Sequence, residues 1–455
     1  MYRKNAWEKY NATQEKEVMK FAEGYKEFLS NSKTERLAVK ESVKRLEAAG
    51  FKNGTDVKEV KSGDKLYFIN KNKNVCAFVI GKKPLREGLR ILGAHIDSPR
   101  MDLKEHPLYE KSGFAYADTH YYGGIKKYQW VTIPLALHGV ICKKDGSVVD
   151  VNIGESDKDP VVGISDLLIH LSADQMAKTA ARVIEGENLD VTLGNKPLKG
   201  KEGNNVKANI LKILEKKYGI NEEDLISAEI EVVPAGKARD YGLDCSMVAG
   251  YGHDDRCCAY TSLVALLEIE NPEYTGCCVL VDKEEIGSVG ATGAQSLFFE
   301  NLLAKLSSLM GEKDALFAAR NALENSKMLS SDVSAGFDPL YAGVSDPNNS
   351  AYFAHGIVFN KYTGSRGKSG SNDANPEYYA WVRNVMDEAE VNWQNAELGR
   401  VDQGGGGTIA YILGNYNMNV IDAGIPVHSM HAPMEIISKA DLYEAYRGYV
   451  AFLKA

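Results

Sequence analysis

The chain has 455 residues, 44% apolar and 25% charged, which suits a soluble globular protein with a large core and room for more than one domain. Its 54 basic and 62 acidic side chains leave a net charge of −8, which argues against a nucleic-acid binder held by phosphates. No apolar run nears the ~20 residues of a membrane helix, so no membrane partner is expected.

The first nine residues lack the apolar core of a secretory signal. Helical periodicity then runs from about Thr13 to Ala49 and stops at Gly50. Strand-like runs follow at Lys65–Ile69, Val75–Ile80 and Leu89–Ala94, the last delivering His95-Ile96-Asp97-Ser98-Pro99. From about Met101 to Val162 the composition shifts to Tyr, Thr, Val, Gly and short turns, which predicts β-hairpins. A lysine-bearing polar stretch, Gly186 to Asn205, precedes an amphipathic helix over Val206–Tyr218 and a strand over Ser227–Val233. We read residues 99–239 as a β-rich domain inserted into a discontinuous one, residues 1–98 and 240–455.

From Cys245 onward α/β alternation resumes. A strand reaches Gly252-His253-Asp254-Asp255-Arg256 and a helix continues to about Glu270. The run Cys277–Val281 has the unbroken apolar character of a buried, parallel strand. It ends in Asp282-Lys283-Glu284-Glu285, and the glycines at 287, 290 and 293 break it into a loop. If the strand pleat persists to its end, Glu284 and Glu285 point in opposite directions. Helices are expected over Ala294–Met310, Asp314–Asn325 and Asn375–Asn395, and strands over Met328–Val333, Gly356–Phe359 and Met418–Asp422. A four-glycine run, Gly404 to Gly407, lies between the last two, and a final helix closes the chain. The seven cysteines are odd in number, include two adjacent pairs and form no Cys-x-x-Cys, as expected of reduced core thiols in a cytoplasmic protein.

Acidic and imidazole groups gather at predicted strand ends. His95 and Asp97, two apart, share a strand face and suit a ligand with a carboxylate that steers it. One of Asp254 and Asp255 suits a bridging ligand, the other a helix cap. Asp332 ends a short strand, and His428 and His431 lie three apart. Together they offer one His, one bridging Asp, one Glu, one Asp and one His, with a second Glu left over to move a proton. That donor set suits two divalent cations, zinc first, with cobalt or manganese as alternatives.

These blocks resemble a family, the dinuclear metallo-aminopeptidases that include aspartyl aminopeptidase and vacuolar aminopeptidase I. The similarity lies in Gly93–Pro99, Gly252–Arg256, Asp282–Ser288, Ser331–Val333 and Ser429–Glu435, in family order across nearly the whole chain. The resemblance implies an α/β fold, a mixed-sheet metallopeptidase core with an inserted β-rich dimerisation domain. It implies His95, Asp254, Glu285, Asp332 and His431 as metal ligands, with Asp254 bridging. It further implies Glu284 as general base acting on a bridging hydroxide, with Asp97 orienting His95. His170 is the candidate that reaches a neighbouring subunit's active site, and Lys361 resembles a lysine near the substrate. The implied activity is removal of single N-terminal residues from peptides with a free amine, by a homo-oligomer, a dodecamer built from dimers. In the aspartyl branch a histidine follows the metal aspartate by three residues. Here Ala335 stands there, so a neutral or apolar N-terminal residue competes with an acidic one. Rival readings are a dinuclear carboxypeptidase or deacylase, and a metal-stabilised assembly or cargo protein without activity.

Overall fold

A computed structural model describes residues 4–200, 203–365 and 369–455. The chain forms two compact units. The first comprises Met1–Asp97, Ala238–Met430 and Glu435–Ala455, and the second Ser98–Lys237 with His431–Met434.

The first unit is built on a nine-stranded mixed sheet. In spatial order its strands are Lys52–Asn53, Lys65–Asn70, Asn74–Val79, Thr275–Val281, Leu89–His95, Lys327–Ser330, Asn419–Gly424, Ile357–Asn360 and Trp393–Asn395. The four central ones, from Thr275–Val281 to Asn419–Gly424, are mutually parallel. Thr275–Val281 is also antiparallel to Asn74–Val79, so its apolar run is buried within the sheet although only one neighbour is parallel.

Alternate residues of these strands enter two different cores. Ala77, Leu92, Ala94, Cys278 and Leu280 pack with Tyr25, Phe28, Leu263, Tyr449 and Phe452 on one face. Cys76, Phe78, Ile91, Cys277 and Val279 pack with Phe299, Leu303, Leu306 and Leu323 on the other. Strands covered on both faces have no solvent side, which explains why they read as continuous apolar runs. All seven cysteines are free thiols, five of them buried.

Three predicted helices have different bounds. The Thr13–Ala49 periodicity is two helices, Ala12–Asn31 and Glu35–Ala48, because Thr34 caps the second by accepting the Leu37 N–H at 3.2 Å. The Asn375–Asn395 helix ends at Glu388, and its last predicted residues form the edge strand Trp393–Asn395. The Ala294–Met310 helix starts only at Phe298. A smaller five-stranded sheet in the same unit carries Met247–Gly250, Ser334–Ala335 and Pro426–His428.

The second unit holds a six-stranded antiparallel sheet ordered Val148–Ile153, Leu135–Cys142, Ala228–Pro234, Arg100–Lys111, Phe114–Tyr122 and Val191–Gly194. Among the described residues its one long helix is Asn205–Tyr218. Among the described residues, no helix of the chain is long and apolar enough to cross a membrane.

Candidate metal centre

Parallel strands end at the same edge, and here that edge gathers the chemistry. Leu89–His95 lies between Thr275–Val281 and Lys327–Ser330, parallel to both. The chain therefore delivers His95, then Glu284 and Glu285, and then Asp332 to one side of the sheet. Asp254 comes from the start of helix His253–Leu267, entered through Gly252 in the left-handed region at φ 79°.

Glu284 and Glu285 do not continue the strand pleat. Lys283 turns left-handed at φ 70°, and Glu284–Ile286 form one turn of 3₁₀ helix closed by Gly287 at φ 97°. Their divergence thus comes from a turn rather than from strand alternation. Asp97 fixes that turn from below: its Oδ1 accepts the Glu284 N–H at 3.1 Å and its Oδ2 accepts the Glu285 N–H at 3.2 Å. The loop beyond is equally confined. The Ser288 N–H donates to the Lys283 carbonyl at 2.7 Å, and a Cβ on Gly293 would lie 2.1 Å from the Ser288 carbonyl. Asp282, buried, accepts the Thr292 hydroxyl at 2.6 Å.

His95 is buried, with Nδ1 3.0 Å from the Asp97 carbonyl and 3.3 Å from its Oδ1. Its Nε2 faces Asp254 Oδ1 at 3.1 Å and Glu284 Oε2 at 3.9 Å. Ligand atoms of His95, Asp254 and Asp332 lie within 4.8 Å of one another, as do those of His95, Glu284 and Glu285. The electrostatics are those of an acidic nest. Burial opposes a charge on His95, but hydrogen bonds that its ring donates to Asp254 and Asp97, with the charges of Asp97 and Glu284, outweigh it and push its pKa up. Burial also raises the Asp332 carboxyl well above its usual range, and the neighbouring charges of Asp255, Glu284 and Asp254 raise it further against the opposing pull of His95. Carboxylates that penalise one another so strongly, beside an imidazole, match the donor chemistry of a divalent cation.

The sequence left Asp254 and Asp255 open, and they differ in setting. Asp254 faces His95, whereas Asp255 is fully buried near Cys257 and Cys258, and burial pushes its carboxyl well above the usual range. His428 and His431 differ as well. His428 donates Nε2–H to the Phe337 carbonyl at 3.0 Å and stacks on Phe353 at 4.1 Å. His431 is in the second unit, in the left-handed region at φ 65°, with Nδ1 2.8 Å from the Gly124 carbonyl. His170 lies in the second unit on an exposed 3₁₀ turn, Ile169–Leu171, not in a partly buried helix. Lys361 follows strand Ile357–Asn360, with Nζ 2.8 Å from the Tyr362 hydroxyl and 3.0 Å from Asp373.

Two supporting residues escaped the sequence reading. Glu435, buried, accepts the Asp254 backbone N–H at 3.1 Å. Its only signal was its place in the Ser429–Glu435 block. His253 is held neutral: burial lowers its pKa to about 3, and Nε2 pairs with the Val248 carbonyl at 3.1 Å.

The family model described as aminopeptidase I zinc metalloprotease (M18) matches residues 28–453. The chain belongs to the M18 family. A probable M18 family aminopeptidase 1 from Clostridium acetobutylicum is 60% identical, over 99% of this chain and 98% of that one. A solved structure of aminopeptidase I from Clostridium acetobutylicum superposes with a TM-score of 0.93 at 57% identity, covering 99% of each chain. The M18 aminopeptidase structure from Thermotoga maritima gives 0.96 at 45% identity, covering 100% of this chain and 99% of that one. The mApe1 dodecamer of S. cerevesiae, at 21% identity, shares the fold with a TM-score of 0.77 over 95% of this chain and 96% of that one. As an M18 protein the chain is a metal-dependent aminopeptidase, a hydrolase of peptide bonds.

Proposed function

We propose that this M18 aminopeptidase works with two divalent cations, zinc in the first instance, held by His95, Asp254, Glu285, Asp332 and His431, with Asp254 shared between them. The observation that carries this reading is the convergence of His95, Asp254, Glu284, Glu285 and Asp332 at one sheet edge, together with the raised pKa of Asp332. When bound, such cations supply Lewis acidity, lowering the pKa of a water and polarising the scissile carbonyl.

The chain's own residues divide the remaining work. The Glu284 carboxylate is partly open to solvent and takes the proton of the attacking water as general base. It then returns that proton to the leaving amine. Asp97 holds the Glu284 and Glu285 amides, so both carboxylates approach from a fixed turn. Asp97 also faces His95 Nδ1 and orients the imidazole.

For the substrate, we favour a neutral or apolar N-terminal residue over an acidic one. Ala335, in the short strand Ser334–Ala335 beside Pro426–Val427, offers no donor to an acidic side chain. Lys361 would lie near the peptide. The β-rich second unit serves dimerisation, and the active form is a homo-oligomer assembled from dimers, a dodecamer as described for S. cerevesiae mApe1. His170 would act across subunits.

A panel of amino-acid anilides assayed with zinc, cobalt and manganese tests the side-chain preference. Turnover highest for Leu or Ala fits, and an optimum at Asp or Glu refutes it. Glu284→Gln tests the base: turnover should fall about 10²–10⁴-fold while metal analysis finds both cations retained. Near wild-type turnover would remove Glu284 from that role.

A further inference from the structure

Two loops of the first unit meet in a small ribbon that the catalytic groups do not explain. Gly364–Ser365 pairs antiparallel with Gly405–Gly406, joining the segment after Lys361 to the four-glycine run. The contact is close: a Cβ on Gly407 would lie 3.0 Å from the Gly370 carbonyl, and within the glycine run itself one on Gly404 would lie only 1.7 Å from the Leu398 carbonyl. Glycines there let backbones meet where side chains would separate them.

Both loops are tied to a single buried carboxylate. Asp422 Oδ1 accepts the Thr408 hydroxyl at 2.5 Å, and Oδ2 accepts the Thr363 hydroxyl at 3.2 Å. Each loop thus has one carboxylate oxygen. Thr363 in turn accepts the Asn372 N–H at 3.2 Å, and the Asn372 amide donates to the Val420 carbonyl at 3.0 Å. Asp422 sits in the central strand Asn419–Gly424, opposite Ser330 on one side and Asn360 on the other. Ser330 is two residues before Asp332, and Asn360 immediately precedes Lys361. Two residues on, Gly424 lies so near the catalytic strand that a Cβ would meet the Asp332 carbonyl at 1.7 Å. The same short strand is therefore seated against the Asp332 backbone and grips both loops.

We propose that Asp422 is a positioning residue: through Thr363 and Thr408 it fixes the two-loop ribbon relative to Asp332 and so sets Lys361 against the bound peptide. A buried carboxylate that takes one hydroxyl from each loop, with Ser330 also beside it, belongs to one arrangement of both loops, because moving either removes a donor from an oxygen held in the core. This assignment rests on the proposed place of Lys361 beside the substrate.

The test compares KM and kcat of the zinc-loaded full-length enzyme on a leucyl tetrapeptide for wild type, Thr363→Val, Thr408→Val, Lys361→Ala and the Lys361→Ala/Thr363→Val double variant. Valine matches threonine in shape but cannot donate. Each valine variant should raise KM at least fivefold while kcat changes less than twofold, and Thr363→Ser should restore KM. In the Lys361→Ala background, Thr363→Val should add less than a twofold further change. Unchanged KM in both valine variants overturns the positioning role, as does a loss of kcat and KM together that Thr363→Ser does not rescue. Independent, multiplicative effects of Lys361→Ala and Thr363→Val overturn it too. If Lys361→Ala alone leaves KM unchanged, the substrate role of Lys361 fails, and the assignment falls with it.

Discussion

Asp97 sits at the centre of the site, beneath both His95 and the glutamate turn. One carboxylate faces His95 Nδ1 and at the same time holds two consecutive backbone amides of the Glu284–Glu285 turn. Hydrogen bonds to a charged acceptor are the strong kind, and here they fix the turn from which the Glu284 and Glu285 side chains diverge. Replacing Asp97 by Ala leaves both amides without their acceptor and should weaken zinc affinity about 10- to 100-fold. A competition titration against a chelator reads this directly, and unchanged affinity would show that the turn holds itself. At this scale much was legible from the sequence. His95, Glu284, Glu285 and Asp332 could be singled out as candidates because each is a charged or imidazole group at the end of an apolar strand, whereas Asp254 could be told from Asp255 only by resemblance. What could not be read was the 3₁₀ turn, since Lys283 in the left-handed region carries no compositional mark. The role of Glu435 was equally hidden, because it binds a backbone amide and not a side chain.

Among the elements, the last helix, Lys439–Lys454, is tied to the sheet by a buried acid near its start. Asp441 accepts the Ala354 and Gly356 N–H groups, each at 2.7 Å. Burial nevertheless dominates and raises its pKa to about 8 from a usual 3.8, against the lowering effect of those amides. A carboxyl whose folded pKa is raised contributes stability that is whole below about pH 4 and is lost as pH rises through about 8. The expected loss across that window is of order a few kcal/mol. Melting temperatures of wild type and Asp441→Asn, measured from pH 5 to pH 8.5, should show the wild-type advantage shrinking steadily. A gap independent of pH would place the titration elsewhere. Element boundaries were the least legible feature of the sequence. Apolar periodicity runs across Ser32-Lys33-Thr34 unbroken, and only the Thr34 cap ends one helix and begins the next. Likewise Trp393–Asn395 continues a helical pattern, but pairing with Ile357–Phe359 turns it into an edge strand.

For the molecule as a whole, the second unit presents apolar side chains to solvent in a cluster. Leu167, Leu168, Ile169, Leu171 and Met176 are all exposed around His170. Scattered surface apolar residues are ordinary, but five within ten positions form the kind of patch that partners cover. If His170 acts across subunits as proposed, His170→Ala should lower turnover while metal content and sedimentation stay at wild-type values. Ile169→Asp should dissociate the assembly in the ultracentrifuge. Full activity of His170→Ala in an intact oligomer would end that assignment.

The order of strands in the catalytic sheet carries one more consequence. Asn74–Val79 and Leu89–His95 follow one another along the chain, yet they do not pair, because Thr275–Val281 lies between them. A ribosome releases the histidine strand long before the strand that must slot in beside it. Until residue 281 has emerged, both earlier strands keep an open hydrogen-bonding edge, and either could zip onto the other or onto a second nascent chain. Pairings so distant along the chain are slow to form. The six-stranded sheet of the inserted unit, all of it encoded before residue 238, is free to form in the meantime. Biogenesis of this enzyme is therefore a race in which the core waits for its middle piece, and shielding of nascent edges should govern the yield of active protein.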